Sequence, residues 1–118
     1  MDLNLVVLSG QLAATPEVRS FPSGSCMVRY LVTTRSTVPR RRVDVVPVTL
    51  WDPGDHAEAP LPERGAEVWV AGAVQRRFWA SGDGTRSRLE VVAHHVEFRD
   101  AGHGESDDAE SVEEPATA

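Results

Sequence analysis

Apolar and polar side chains alternate through most of the first hundred residues, most clearly in Val68 to Phe98, "VWVAGAVQRRFWASGDGTRSRLEVVAHHVEF". Val68, Val70 and Val74 share one parity, and Trp69, Gln75, Arg77 and Trp79 hold the other. This is the period of a strand with one face in a core and one in water. The tip "ASGDGT" carries two glycines and an aspartate, which tolerate the positive φ of a hairpin turn, so the chain folds back on itself. The return strand sets Ser87, Leu89 and Val91 on one face and Arg86, Arg88 and Glu90 on the other. The pattern predicts a long hairpin whose wet side gathers Arg77, Trp79, Arg86 and Arg88. Arginines beside an aromatic are what a strand surface needs to hold a phosphate backbone and stack a base.

Upstream, "LNLVVLSGQL" (3–12) reads as a first strand, with Gly10 allowing a bend or bulge. It holds no proline and no charge, so an exposed edge there invites a second chain, and a dimer through Leu3, Leu5, Val6, Val7 and Leu8 is expected. Two turns flank a short extended piece around Val18. Cys26 to Thr34 is a second strand, paired with Val43 to Trp51, where Pro47 removes one ladder donor. The connection "RSTVPRRR" is short and basic. Between Asp52 and Gly65, Asp52 is placed to cap a helix begun by Pro53, but Gly54, Pro60 and Pro62 restrict it to a frayed turn or two. Five strands with a weak helix between the third and fourth is the order of an all-β, five-stranded OB-fold barrel.

Charge divides the chain. The net charge is −6, from 12 basic and 18 acidic residues. Residues 1–100 hold 12 of each, so 12 − 12 = 0, and the other 18 − 12 = 6 acids lie in 101–118. We therefore expect a neutral domain over 1–100 and a disordered acidic tail over 101–118, which is too poor in apolar residues to offset its ordering entropy. Every basic residue is Arg, the better side chain for planar phosphate contacts and for stacking. The single Cys26 excludes an internal disulfide, and no signal peptide or membrane span is visible, which together point to the cytoplasm. His94 and His95, adjacent on a strand, should point to opposite faces and so cannot share a metal; with His56 and His103 in loops, no metal or other cofactor is expected. No nucleophile spacing or paired carboxylate suggests an enzyme.

Three segments in register resemble the bacterial single-stranded DNA-binding proteins. In "NLVVLSGQLAATPEVRSFPSG", residues Asn4, Gly10, Leu12, Pro16, Glu17, Val18, Arg19, Pro22 and Gly24 fit that family's opening pattern; "VWVAGAVQRRFW" and "LEVVAHHVEF" fit its later strands. The resemblance implies an OB-fold that assembles through its first strands, usually into a tetramer, and wraps single-stranded DNA over aromatic platforms during replication, recombination or repair. Trp51 and Trp79 fall on two of those platforms. A third falls on Val45, and the loop aromatic has no counterpart in "RSTVPRRR". The family's tail ends in acids followed by Pro-Phe and docks replication and repair partners there; "EEPATA" offers little apolar area, so tight docking is not expected.

Bland roles compete with these. Large aromatics are more often core residues, but the parity of Trp51 and Trp79 opposes the valine runs and favours stacking. Trp69 suits DNA contact and subunit packing equally. Arg40, Arg41 and Arg42 suit a solvated loop tip or, as the resemblance implies, phosphate contacts. A divergent OB-fold paralogue acting mainly as an assembly module with weak DNA binding is the alternative function.

Overall fold

The computed structural model describes residues 1–99 and contains six strands: β1 (Val6–Leu12), β2 (Glu17–Ser20), β3 (Cys26–Ser36), β4 (Arg42–Trp51), β5 (Glu67–Ser81) and β6 (Gly84–Arg99). The tail expected over 101–118 lies outside the described residues. The sheet runs β1-β5-β6-β4-β3-β2 and closes through a further β1–β3 pairing, so β1, β3, β4, β6 and β5 form a ring and β2 pairs only with β3. This is the five-stranded OB-fold barrel.

Inward residues of the ring build the core, with Leu12, Tyr30, Val32, Val48, Val68 and Val70 almost wholly removed from water. Closure demands close backbone approach. A Cβ on Gly10 would collide with the Thr33 carbonyl oxygen, where β1 crosses to β3, and a Cβ on Gly72 would collide with the Val92 carbonyl oxygen. These two positions therefore need glycine for space. Pro47 supplies no N–H to its ladder, yet the β3–β4 register runs unbroken through Leu31↔Pro47.

The crossover holds a single 3-10 turn, Gly54–Ala57, within the frayed turn or two expected of it. Two other expectations are corrected. Asp52 does not cap that turn: its φ is 51°, a left-handed conformation that Asp tolerates, and its N–H donates to the Cys26 carbonyl at 3.0 Å. His94 and His95 do not alternate between core and solvent either. A register shift takes Ala71↔His95 directly to Gly72↔Ala93, leaving His94 as an extra residue, and both histidines are exposed. The bulge lets Ala93 and Val96 both face the core although two residues, an even number, lie between them.

Two further pairings shape the outer surface. β1 covers β5 only between Gln11↔Glu67 and Val6↔Gly72, with Asn4 adding a side-chain clasp on the Val74 backbone (2.8 and 2.9 Å). β4 meets β6 in parallel at Val48↔Val91 and Thr49↔Val92. From Gln75↔Glu90 to Ser81↔Gly84, β5 and β6 therefore pair only with each other, as an arm projecting from the barrel.

Candidate nucleic-acid interface

Period-2 alternation decides the faces of the arm. Its outer rungs are Gln75↔Glu90, Arg77↔Arg88 and Trp79↔Arg86. Turn strain falls on Gly84, with φ 121°, beyond the two-residue tip Gly82-Asp83. Arg88 lies over the Trp79 ring, its Cζ 5.8 Å from the centroid, and Trp79 is 41% exposed. Two guanidinium groups held directly across a rung repel each other. One is partly compensated, because Arg77 Nη1 stands 3.9 Å from Glu90 Oε1, a carboxylate only 6% exposed. Arg86 reaches Asp83 at 3.6 Å at the tip. The surface thus presents more positive charge than its acids neutralise, beside a partly exposed indole.

The parallel β4–β6 pairing brings a second basic cluster to the same end. Moving back along β6 toward the tip corresponds to moving back along β4 toward Arg42, so the loop holding Arg40 and Arg41 and the arm lie at one end of the barrel. Arg42 begins β4 opposite Ser36, and its Nε donates to both oxygens of Asp44 at 3.1 and 2.9 Å, which raises its pKa further above the usual range. Arg40 and Arg41 are exposed, and among the described residues neither has an acidic partner.

Trp51 and Trp69 are not part of that cluster. Trp51 closes β4 at the opposite end from Arg42, about 30 Å away along the strand. There its ring meets Phe21 at 5.7 Å between centroids, on a face with the exposed Val43 and Val45 further along. Trp69 lies ten residues before Trp79 on the same outer parity, opposite Glu97 and beside Ser9 of β1. Arg99 covers it at 5.6 Å, and it shares a groove with Val7, Ala71, His95 and Glu97, in which His95 Nε2 and Glu97 Oε1 are 3.1 Å apart. Leu3 and Leu5, just before β1, and Val7 on it are exposed, whereas Val6 and Leu8 pack against the core.

The profile of the family described as "Single-strand binding protein family" matches residues 3–99. The chain belongs to that family. Among curated relatives it is similar to a single-stranded DNA-binding protein of Clostridium tetani, 29% identical over 109 residues that cover 88% of this chain and 75% of the relative. It is also similar to single-stranded DNA-binding protein 2 of Listeria monocytogenes, 30% identical over 101 residues covering 81% and 63%. A Neisseria meningitidis single-stranded DNA-binding protein is 28% identical over 105 residues covering 83% and 60%. The family match spans the whole barrel and the arm.

Sequence reasoning missed three residues on this member of the family. Phe78, beside Trp79, follows the parity of the core valines yet is 64% exposed. Phe21 lies in a turn, with no periodicity to pair it with Trp51. Glu90 occupies the wet parity of β6 and is nevertheless buried, at the root of the arm, one residue before β6 meets β4 at Val91. Only the unusual run of "RRFW", where charge enters the inward parity at Arg76, could have flagged Phe78.

Proposed function

We propose that this chain binds single-stranded DNA without sequence preference, with Trp79 stacking a base while Arg77, Arg86, Arg88, Arg40 and Arg41 hold phosphates. The outer face of the arm carries this reading: Arg77 and Arg88 oppose each other across a rung next to an exposed indole, an arrangement that a polyanion with flat bases relieves on both counts. Arg42, engaged by Asp44, contributes less. Trp51, paired with Phe21, offers a second platform about 30 Å along β4, so that a strand laid from the basic end to Trp51 crosses the outer face of the barrel. No step of bond chemistry is required, and the protein acts by binding.

We further infer a homo-oligomer built through β1. Among the described residues, the edge of β1 away from β5 has a partner only at Gln11 and Leu12, so Val6 to Gly10 keep one edge unpaired there. Leu3, Leu5 and Val7 supply exposed apolar area beside it, and Trp69 lies in the adjoining groove, which favours subunit packing over DNA contact for that residue. The cytoplasm, where its DNA would lie, is the proposed location. No helix among the described residues is long and apolar enough to cross a membrane.

Titration with oligo-dT at low salt tests the reading through tryptophan emission. Quenching is expected, with Trp79→Ala and Trp51→Ala each losing part of it and roughly 1–3 kcal/mol of binding, a magnitude carried over from OB-fold single-strand binders in general. Absence of any binding at micromolar protein would refute it and leave an assembly module.

A further inference from the structure

Consecutive residues of a strand face opposite ways, so Phe78 and Trp79 lie on opposite faces of the arm. Phe78 shares its face with Arg76 and Ala80 on β5 and, across the rungs, with Thr85, Ser87 and Leu89 on β6. Nearer the barrel this is the core face, that of Val68 and Val70. The core ends before Phe78 is reached, since β1 stops pairing at Gly72 and β4 touches β6 only at Val91 and Val92. At Arg76 the face is already exposed and charged. Phe78 is thus an aromatic that barrel packing does not use, with Leu89 one rung below it 53% exposed.

Its surroundings are shaped for a flat partner. Directly opposite stands Ser87, whose Oγ accepts a 3.0 Å hydrogen bond from Arg76 Nη1, and Ala80 follows on the same strand. Small neighbours leave the ring face open, and a guanidinium is fixed one rung away. An exposed apolar patch calls for a partner, and charge selects which one. From 74 to 90 the arm holds Arg76, Arg77, Arg86 and Arg88 against Asp83 and Glu90, 4 − 2 = 2 positive charges in excess. An apolar protein surface laid over Phe78 would desolvate Arg76, whereas a nucleotide engages both groups, its base on the ring and its phosphate on the guanidinium.

We propose that Phe78 is a base-stacking platform and Arg76 its phosphate contact, so that single-stranded DNA is held on both faces of the β5–β6 arm. This rests on the single-strand binding reading above. Because Phe78 and Trp79 point apart, one strand reaches both only by passing around the arm, so Phe78 engages nucleotides beyond those seated on Trp79. A short oligonucleotide fills one face; a longer one fills both.

The experiment compares the full-length chain with Phe78→Ala, Phe78→Leu, Arg76→Ala and Trp79→Ala, using a short and a long oligo-dT, with light scattering to follow assembly. Phe78→Ala should weaken the long oligo-dT roughly 5- to 150-fold and leave its salt slope unchanged, whereas Arg76→Ala should flatten that slope by about 0.7. The shortest oligo-dT that still quenches Trp79 should bind Phe78→Ala as it binds the unmodified chain. Phe78→Leu keeps apolar area without a π-face and should remain weak; full recovery with Leu would overturn stacking. Unchanged affinity in Phe78→Ala, with Trp79→Ala weakened, would overturn this proposal and leave the binding reading standing. A fall in mass with unchanged affinity per protomer would make Phe78 a contact between copies and also overturn it. Failure of the unmodified chain to bind either oligonucleotide would refute the underlying reading.

Discussion

Removing Arg40 and Arg41 together should change the salt dependence of DNA binding in a way that removing Trp79 does not. Both arginines are exposed in the β3–β4 loop, and neither has an acid within 4.0 Å among the described residues, so each is free to neutralise a phosphate. For a single strand each neutralised phosphate contributes about −0.7 to the slope of log affinity against log salt. The double substitution Arg40→Ala/Arg41→Ala should therefore flatten the slope by about 1.4, so that over a fourfold rise in salt it loses roughly sevenfold less affinity than the unmodified chain. Arg77→Ala should flatten it by less than one full contact, because the buried Glu90 at 3.9 Å already shares that charge. Trp79→Ala should lower affinity at every salt concentration with an almost parallel line, since it removes a ring and no charge. Trp79→Phe, which keeps a ring beneath Arg88, should recover much of the loss. Fluorescence titrations at several salt concentrations provide the measurement. A double arginine variant running parallel to the unmodified chain would refute the placement of phosphates at the loop, and a slope change in Trp79→Ala as large as that of the double variant would refute the division between stacking and charge.

Tyr30, the sole tyrosine, is fully buried, and desolvation pushes its hydroxyl up to about 12. Its folded pKa lies above the unfolded value, so the stability it favours is fully present below pH 10 and is lost as pH rises through 12, about 3 kcal/mol at most; a tyrosinate absorbance midpoint near 10 in the native protein would contradict this. Gly10→Ala and Gly72→Ala place a methyl against a backbone carbonyl and should each destabilise by roughly 1–3 kcal/mol in urea titrations, whereas Gly82→Ala, which meets open space at the hairpin tip, should stay within about 0.5 kcal/mol. Val7→Arg, at a position 62% exposed on the open edge, should lower the mass seen by light scattering without altering the circular dichroism spectrum; an unchanged mass would place the interface elsewhere.

Alternation is a local property of the chain, so the strands, the hairpin and the sharing of one face by Arg77, Trp79, Arg86 and Arg88 are legible in the order of residues. The same holds for the limit on the crossover, where proline and glycine forbid more than a turn or two of helix whatever surrounds them, and for the family, whose motifs survive as residues in order. Tertiary structure alone decides where each face meets water. Barrel closure at Gln11↔Thr33 and Leu12↔Val32, and the short parallel contact of β4 with β6, are long-range pairings that no period encodes. They bring the Arg40–Arg41 loop to the arm, take Trp51 to the far end of β4, and set Trp69 beside Val7. They also bury Glu90 on a parity that reads as wet and expose Phe78 on one that reads as core, because the core stops where its covering strands stop. His94 shows the same limit within one strand: a single bulged residue shifts the parity of every later position, and what fixes the bulge is the partner strand at Ala71 and Gly72.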